Sequence, residues 1–145
     1  MALEDKTLPP DLKPNPVLID KIELIKETDG TVSCAAAIAL AERANVAPEE
    51  VGRTLDALAV RLSRCQIGTF GYPGHAKGWT ISGADREPEP EGLRAALQEA
   101  AGPVKQVSCP TLWDIAEKFH ISRMRVGYAA DRAGLKINGC QLGAF

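Results

Sequence analysis

Apolar positions near the start of the chain fall on a helical period. In "NPVLIDKIELIKETDG", Leu18, Ile22 and Ile25 lie at i, i+4 and i+7 on one face. Asn15 stands where an N-cap belongs, Pro16 suits the first helical position, and Asp29-Gly30 ends the run. The pattern returns in "PEPEGLRAALQEAAGP", where Leu93, Ala96, Leu97 and Ala100 are the expected buried face and Gly102-Pro103 stops the helix.

The recurrence extends well beyond one helix. Shifting the chain by 75 residues aligns Val32–Phe70 with Val107–Phe145 over 39 positions without a gap, and twelve are identical. The identities include Cys34/Cys109, Ala41/Ala116, Val51/Val126, Gly52/Gly127 and the closing pair "CQIGTF" and "CQLGAF". Many other positions exchange one apolar residue for another, such as Val46/Ile121 and Leu62/Ile137. The chain therefore contains two copies of one unit, too few for a solenoid.

After each opening helix comes "VSC", then "AAAIALAERANVAPEEVGRTLDALAV" or "PTLWDIAEKFHISRMRVGYAADRAGL". These stretches resemble the helix-turn-helix family, which places Ala, a turn residue and an apolar residue at set positions. Ala41, Asn45 and Val51 occupy them in the first copy, and Ala116, His120 and Val126 in the second. The small alanines allow two helices to cross closely, and Asn and His tolerate the left-handed turn. Leu40/Ile115, Val46/Ile121 and Val51/Val126 are the expected wedge between the helices, with Ser122 as a cap.

Downstream, "VRLSRCQIGTFGYPGHAKGWTISG" reads as a strand through Leu62, Ile67 and Phe70, a turn-rich tip, and a returning strand "WTIS". A helix triplet followed by such a hairpin resembles a winged helix-turn-helix. The expected fold is mostly α with a small β-hairpin (α+β), as two tandem winged helix-turn-helix units. The second copy reaches Phe145 with the outgoing strand alone, so a truncated wing is expected there. The corresponding organisation is a flexible arm over 1–14, a first repeat over 15–82, a linker over 83–90 and a second repeat over 91–145.

Composition changes this picture little. About 45% of residues are hydrophobic and 25% charged, the balance of a globular chain. The longest apolar run, Cys34–Ala41, is too short to span a membrane. "MALEDKTLPPDLKPNP" has acids and prolines where a signal peptide would be basic and then apolar, so a cytoplasmic location with reduced cysteines is expected.

Charge matters more. The net value of −2 argues against coating nucleic acid by bulk charge, yet its distribution is uneven. Residues 103–145 carry six Lys/Arg against three acids, whereas residues 17–70 carry six against eight. At the start of its second motif helix the second copy offers Ser122, Arg123, Met124, Arg125 and Tyr128, types that contact phosphates and base edges. The first copy offers Ala47, Pro48, Glu49, Glu50 and Arg53, whose acids repel phosphate but also suit a helix N-terminus. Arg53, Arg61, Arg64, His75 and Lys77 complete the expected DNA-contacting set. The resemblance implies double-stranded DNA as partner and a sequence-specific regulator as function.

Two other functions stay open. Glu49, Glu50 and the helix glycines Gly52 and Gly127 fit a protein-interaction module on the same scaffold, with a homodimer or another protein as partner. Each glycine costs its helix about 1 kcal/mol relative to Ala, so something must approach the backbone there: DNA phosphate, the partner copy or another subunit. Cys34/Cys65 and Cys109/Cys140, each separated by 31 residues, admit a metal or redox sensor. Without a closely spaced pair, however, they read first as packing. The "VSC" and "RCQ" segments lying side by side would bring each pair together. No phosphate loop, H-x-x-x-H pattern or paired carboxylates stand out, so neither enzymatic activity nor a cofactor is expected.

Overall fold

In the computed structural model, which describes residues 8–145, Asn15 caps helix α1 (Pro16–Ile25) by accepting from the Val17 N–H at 3.0 Å. Of the expected arm, residues 1–7 lie outside the described residues. After α1 the chain turns at Asp29, whose carboxylate accepts from the Thr31 hydroxyl and backbone N–H. Those bonds, the hydroxyl's first, hold its pKa below the usual value.

Strand β1 (Val32–Ser33) follows, then helices α2 (Cys34–Ala44) and α3 (Pro48–Ala57), then β2 (Leu62–Ser63). A short helix α4 (Trp79–Ser82) and a 3₁₀ turn (Ala84–Arg86) come next. The order then repeats as α5 (Leu93–Ala101), β3 (Gln106–Ser108), α6 (Cys109–Phe119), α7 (Arg123–Arg132) and β4 (Lys136–Asn138). The fold is mixed α+β, and among the described residues no helix is long and apolar enough to cross a membrane.

The helix–turn–helix passages form for the reasons the sequence suggests. Ser33 and Ser108 cap α2 and α6 by accepting from the third residue onward. Asn45 (φ 55°, ψ 45°) and His120 (φ 55°, ψ 42°) end these helices in the left-handed region, and each donates its N–H back to the final turn. Leu40, Val51, Ile115 and Val126 are buried, and Val46 and Ile121 half-buried. Replacing His120 by Val, whose branched side chain resists positive φ, is expected to lower stability by about 1–2 kcal/mol. His120→Gly should stay near wild type, and urea midpoints of the two variants test the pair.

The strands depart from the hairpin expectation. β1 pairs with β2 in parallel, Val32 opposite Leu62 and Ser33 opposite Ser63. β3 pairs with β4 in parallel, with Gln106, Val107 and Ser108 opposite Lys136, Ile137 and Asn138. A parallel pair needs a long crossover, and the two motif helices supply it. The start of "VSC" thus lies beside Leu62 and Ser63, the residues just ahead of "RCQ", rather than beside "RCQ" itself, and no hairpin wing is built from the pair. "WTIS" is also corrected: Trp79–Ser82 is helical and ends at left-handed Gly83. Gly68–Gly78 is a loop closed by the Gly78 N–H donating to the Gly68 carbonyl at 2.9 Å, with a single antiparallel bridge between Tyr72 and His75.

The compact units do not follow the repeat boundary. One comprises the chain through Cys65 together with Gln141–Phe145; the other is Gln66–Cys140. The first is built around buried Leu18, Ile22, Leu40, Val51 and Leu55, and Leu142 joins that core from the far end of the sequence. The second is built around Leu93, Leu97, Leu112 and Val126, joined by Ile67, which belongs to the first repeat by sequence.

The helix glycines are the seats of these two segments. A Cβ on Gly52 would overlap the Leu142 carbonyl, and one on Gly127 would overlap the Ile67 carbonyl, each closer than real contacts allow. Of the three approaches that the sequence left open, the backbone following the other copy's strand is the one observed.

Candidate nucleic-acid interface

The basic face predicted for the second copy is shaped by what surrounds α7. Ser122 caps that helix by accepting from the Arg125 N–H at 3.0 Å, and with Arg123 it is exposed at the first turn. Along α7 runs the segment Gln66–Phe70, seated on Gly127. Its Ile67 carbonyl accepts from the Trp79 indole N–H at 2.8 Å. Gly68, at φ +88°, has no room for a side chain between the Trp79 indole and the Met124 sulfur. Trp79 is buried and meets Tyr128 edge to face, with ring centroids 5.6 Å apart. The segment is held on both sides.

Its first residue reaches the helix start. The Gln66 side-chain oxygen accepts from Arg123 Nη1 at 2.6 Å, and the Arg123 guanidinium lies 3.5 Å from the centroid of the Trp113 ring. Arg123 is thus an exposed cation with one edge bonded and one face stacked, a geometry suited to planar recognition. Lys77 donates to the Thr69 carbonyl at 3.2 Å and sits 5.8 Å from the Trp79 ring centroid, while His75 is exposed at the loop tip.

Arg125 corrects the sequence reading. It was expected to face DNA, but it is only 5% exposed, and its Nε donates to the Glu87 carbonyl at 3.0 Å. Its Nη1 is buried and finds no partner among the described residues. The position two residues after Arg123 turns towards the interior of its unit, where the chain leading into α5 covers it. Met124 and Tyr128 are half-buried, the first against Gly68, the second between Trp79 and the Arg125 guanidinium.

The other predicted residues stand elsewhere. In the first unit Arg53 pairs with Glu50 at 2.5 Å, and Glu50 also accepts from the Asn15 side chain at 3.4 Å. Arg61 and Arg64 are exposed in that unit. Cys34, Cys65 and Cys109 are buried and Cys140 half-buried. Among the described residues no three His, Cys, Asp or Glu side chains are grouped to hold a metal ion.

Sequence reasoning missed the contributions of Gln66 and Trp113. An apolar aromatic at this point of the second copy reads from the sequence as core, yet Trp113 is half-buried beneath Arg123. Gln66 did carry a signal, since the same residue recurs as Gln141, but it was read as part of a strand. No protein-family model, no curated protein and no solved structure matches this chain.

Proposed function

We propose that the chain is a sequence-specific DNA-binding transcriptional regulator built from tandem helix-turn-helix units, with α7 as the helix that enters a major groove. The observation carrying this reading is the exposed, braced Arg123 at the start of α7, beside capping Ser122 and following the left-handed turn at His120. The basic excess of residues 103–145 supplies the sign of field that phosphate requires. His75 and Lys77, exposed on the Gly68–Gly78 loop of the same unit, would supply further contacts to the DNA backbone. Arg125 has no part in it.

Selection of genomic fragments at two salt concentrations, followed by sequencing, tests the proposal. The wild-type chain should retain a limited set of fragments, more weakly as salt rises. Arg123→Ala should weaken that retention about tenfold. Equal, unselective retention by wild type and variant would remove the proposal.

A second reading is favoured by one specific feature, the acids Glu49 and Glu50 at the start of α3. On it the first unit binds protein and leaves DNA to its counterpart, or the whole chain does without DNA. A protein co-purifying from the native host, combined with unselective DNA retention, would favour the latter.

A further inference from the structure

We infer that Gln66 determines base preference by fixing Arg123 as a reader of guanine. The inference rests on the DNA-binding proposal above and deepens it. A surface arginine ordinarily samples many rotamers, so presenting its fork to a base edge carries an entropic cost. Here two contacts remove that freedom beforehand. The Trp113 ring covers one face of the guanidinium at 3.5 Å, and Gln66 accepts from Nη1 at 2.6 Å, a short charge-assisted bond. A guanidinium has five N–H donors, and one bond to Gln66 leaves enough for the O6 and N7 acceptors of guanine in the major groove.

The brace is itself rigid. Gln66 precedes fully buried Ile67, whose carbonyl is fixed by the Trp79 indole and lies against Gly127. The residue that orients the reader therefore comes from a segment outside the helix. The first unit supplies an internal contrast. Shifted by 75 positions, Gln66 has its equivalent in Gln141, but Arg123 and Trp113 correspond to Pro48 and Ile38. That unit has the glutamine without the cation or its platform, so guanine reading belongs to the second unit alone.

The test is selection from a randomised double-stranded DNA pool with the full chain. Wild type, Arg123→Ala and two brace variants, Gln66→Met and Gln66→Ala, are compared, and thermal unfolding confirms that each is folded. Wild type should enrich a motif with one dominant guanine, and Arg123→Ala should lose that position. The Gln66 variants should bind within about threefold of wild type at low salt, because phosphate contacts persist, while their preference for that guanine falls about fivefold or more. Wild-type guanine preference in a folded Gln66 variant, alongside its loss in Arg123→Ala, would overturn the inference and leave the DNA reading intact. A wild-type chain that enriches no motif would overturn both.

Discussion

A single cut in the exposed stretch Arg86–Glu89 is expected to leave the chain eluting at the volume of the uncut protein. The expectation comes from which residues finish which unit. A cut after Pro88 leaves Gln66–Trp79 on the first fragment, although these residues are part of the second unit. It leaves Gln141–Phe145 on the second fragment, although they are part of the first. Ile67, Trp79 and Ala84 are buried on one side of this exchange, and Leu142 and Ala144 on the other. Burial of each large apolar side chain among these contributes about 1.5–3 kcal/mol, against an association cost of several kcal/mol. A protease site inserted after Pro88, followed by gel filtration with and without concentrated urea, measures the outcome. Two halves joined only by a tether would separate in native buffer, and two peaks there would refute the described topology.

The second large effect concerns the helix glycines, and its sign runs against ordinary propensity. Gly→Ala inside a helix usually gains about 0.5–1 kcal/mol. At Gly127 the same change is expected to cost about 3 kcal/mol, because the new methyl meets the Ile67 carbonyl and that carbonyl is pinned by Trp79. Gly52→Ala meets the Leu142 carbonyl instead. The obstructing segment there can lift away, so the loss is bounded by the burial of Leu142 and Ala144, about 2–3 kcal/mol. Chemical denaturation gives both numbers. Carboxypeptidase adds an independent reading, since Gly52→Ala should expose the tail to digestion while Gly127→Ala should not. Either variant matching wild-type stability would show that the segments do not bear on the glycines as described.

Much of each motif was legible because its determinants are local. Leu18, Ile22, Leu93 and Leu97 announce buried helix faces by period alone, and all four are fully buried, whereas Ala100, expected on the same face as Leu97, is exposed and its neighbour Ala101 is buried instead. Asn45 and His120 mark the turns because few side chains accept positive φ, and both adopt it. The strands were legible as extended chain but not as partners. Whether Leu62 pairs with a returning strand or with Val32 depends on where two intervening helices carry the chain, and no local pattern encodes that. "WTIS" misled for a related reason. Thr and Ile favour strands, but the buried Trp79 and its bond to the Ile67 carbonyl decide the local conformation.

The candidate site shows the same division. A place at the start of the second motif helix and the charge of the second copy pointed to Arg123. They pointed equally to Arg125, because neither its bond to the Glu87 carbonyl nor its burial can be read without the chain leading into α5 in place. Gly52 and Gly127 lie between these cases. Their cost in a helix signalled a close neighbour correctly, and only the folded chain identifies it.

The exchange of end segments also bears on synthesis. The unit begun first keeps Gly52 uncovered until Leu142 has been made, and the other unit closes only with Cys140, two residues earlier, so neither is complete until nearly the whole described chain has been translated. The usual advantage of folding the earlier part first is therefore given up.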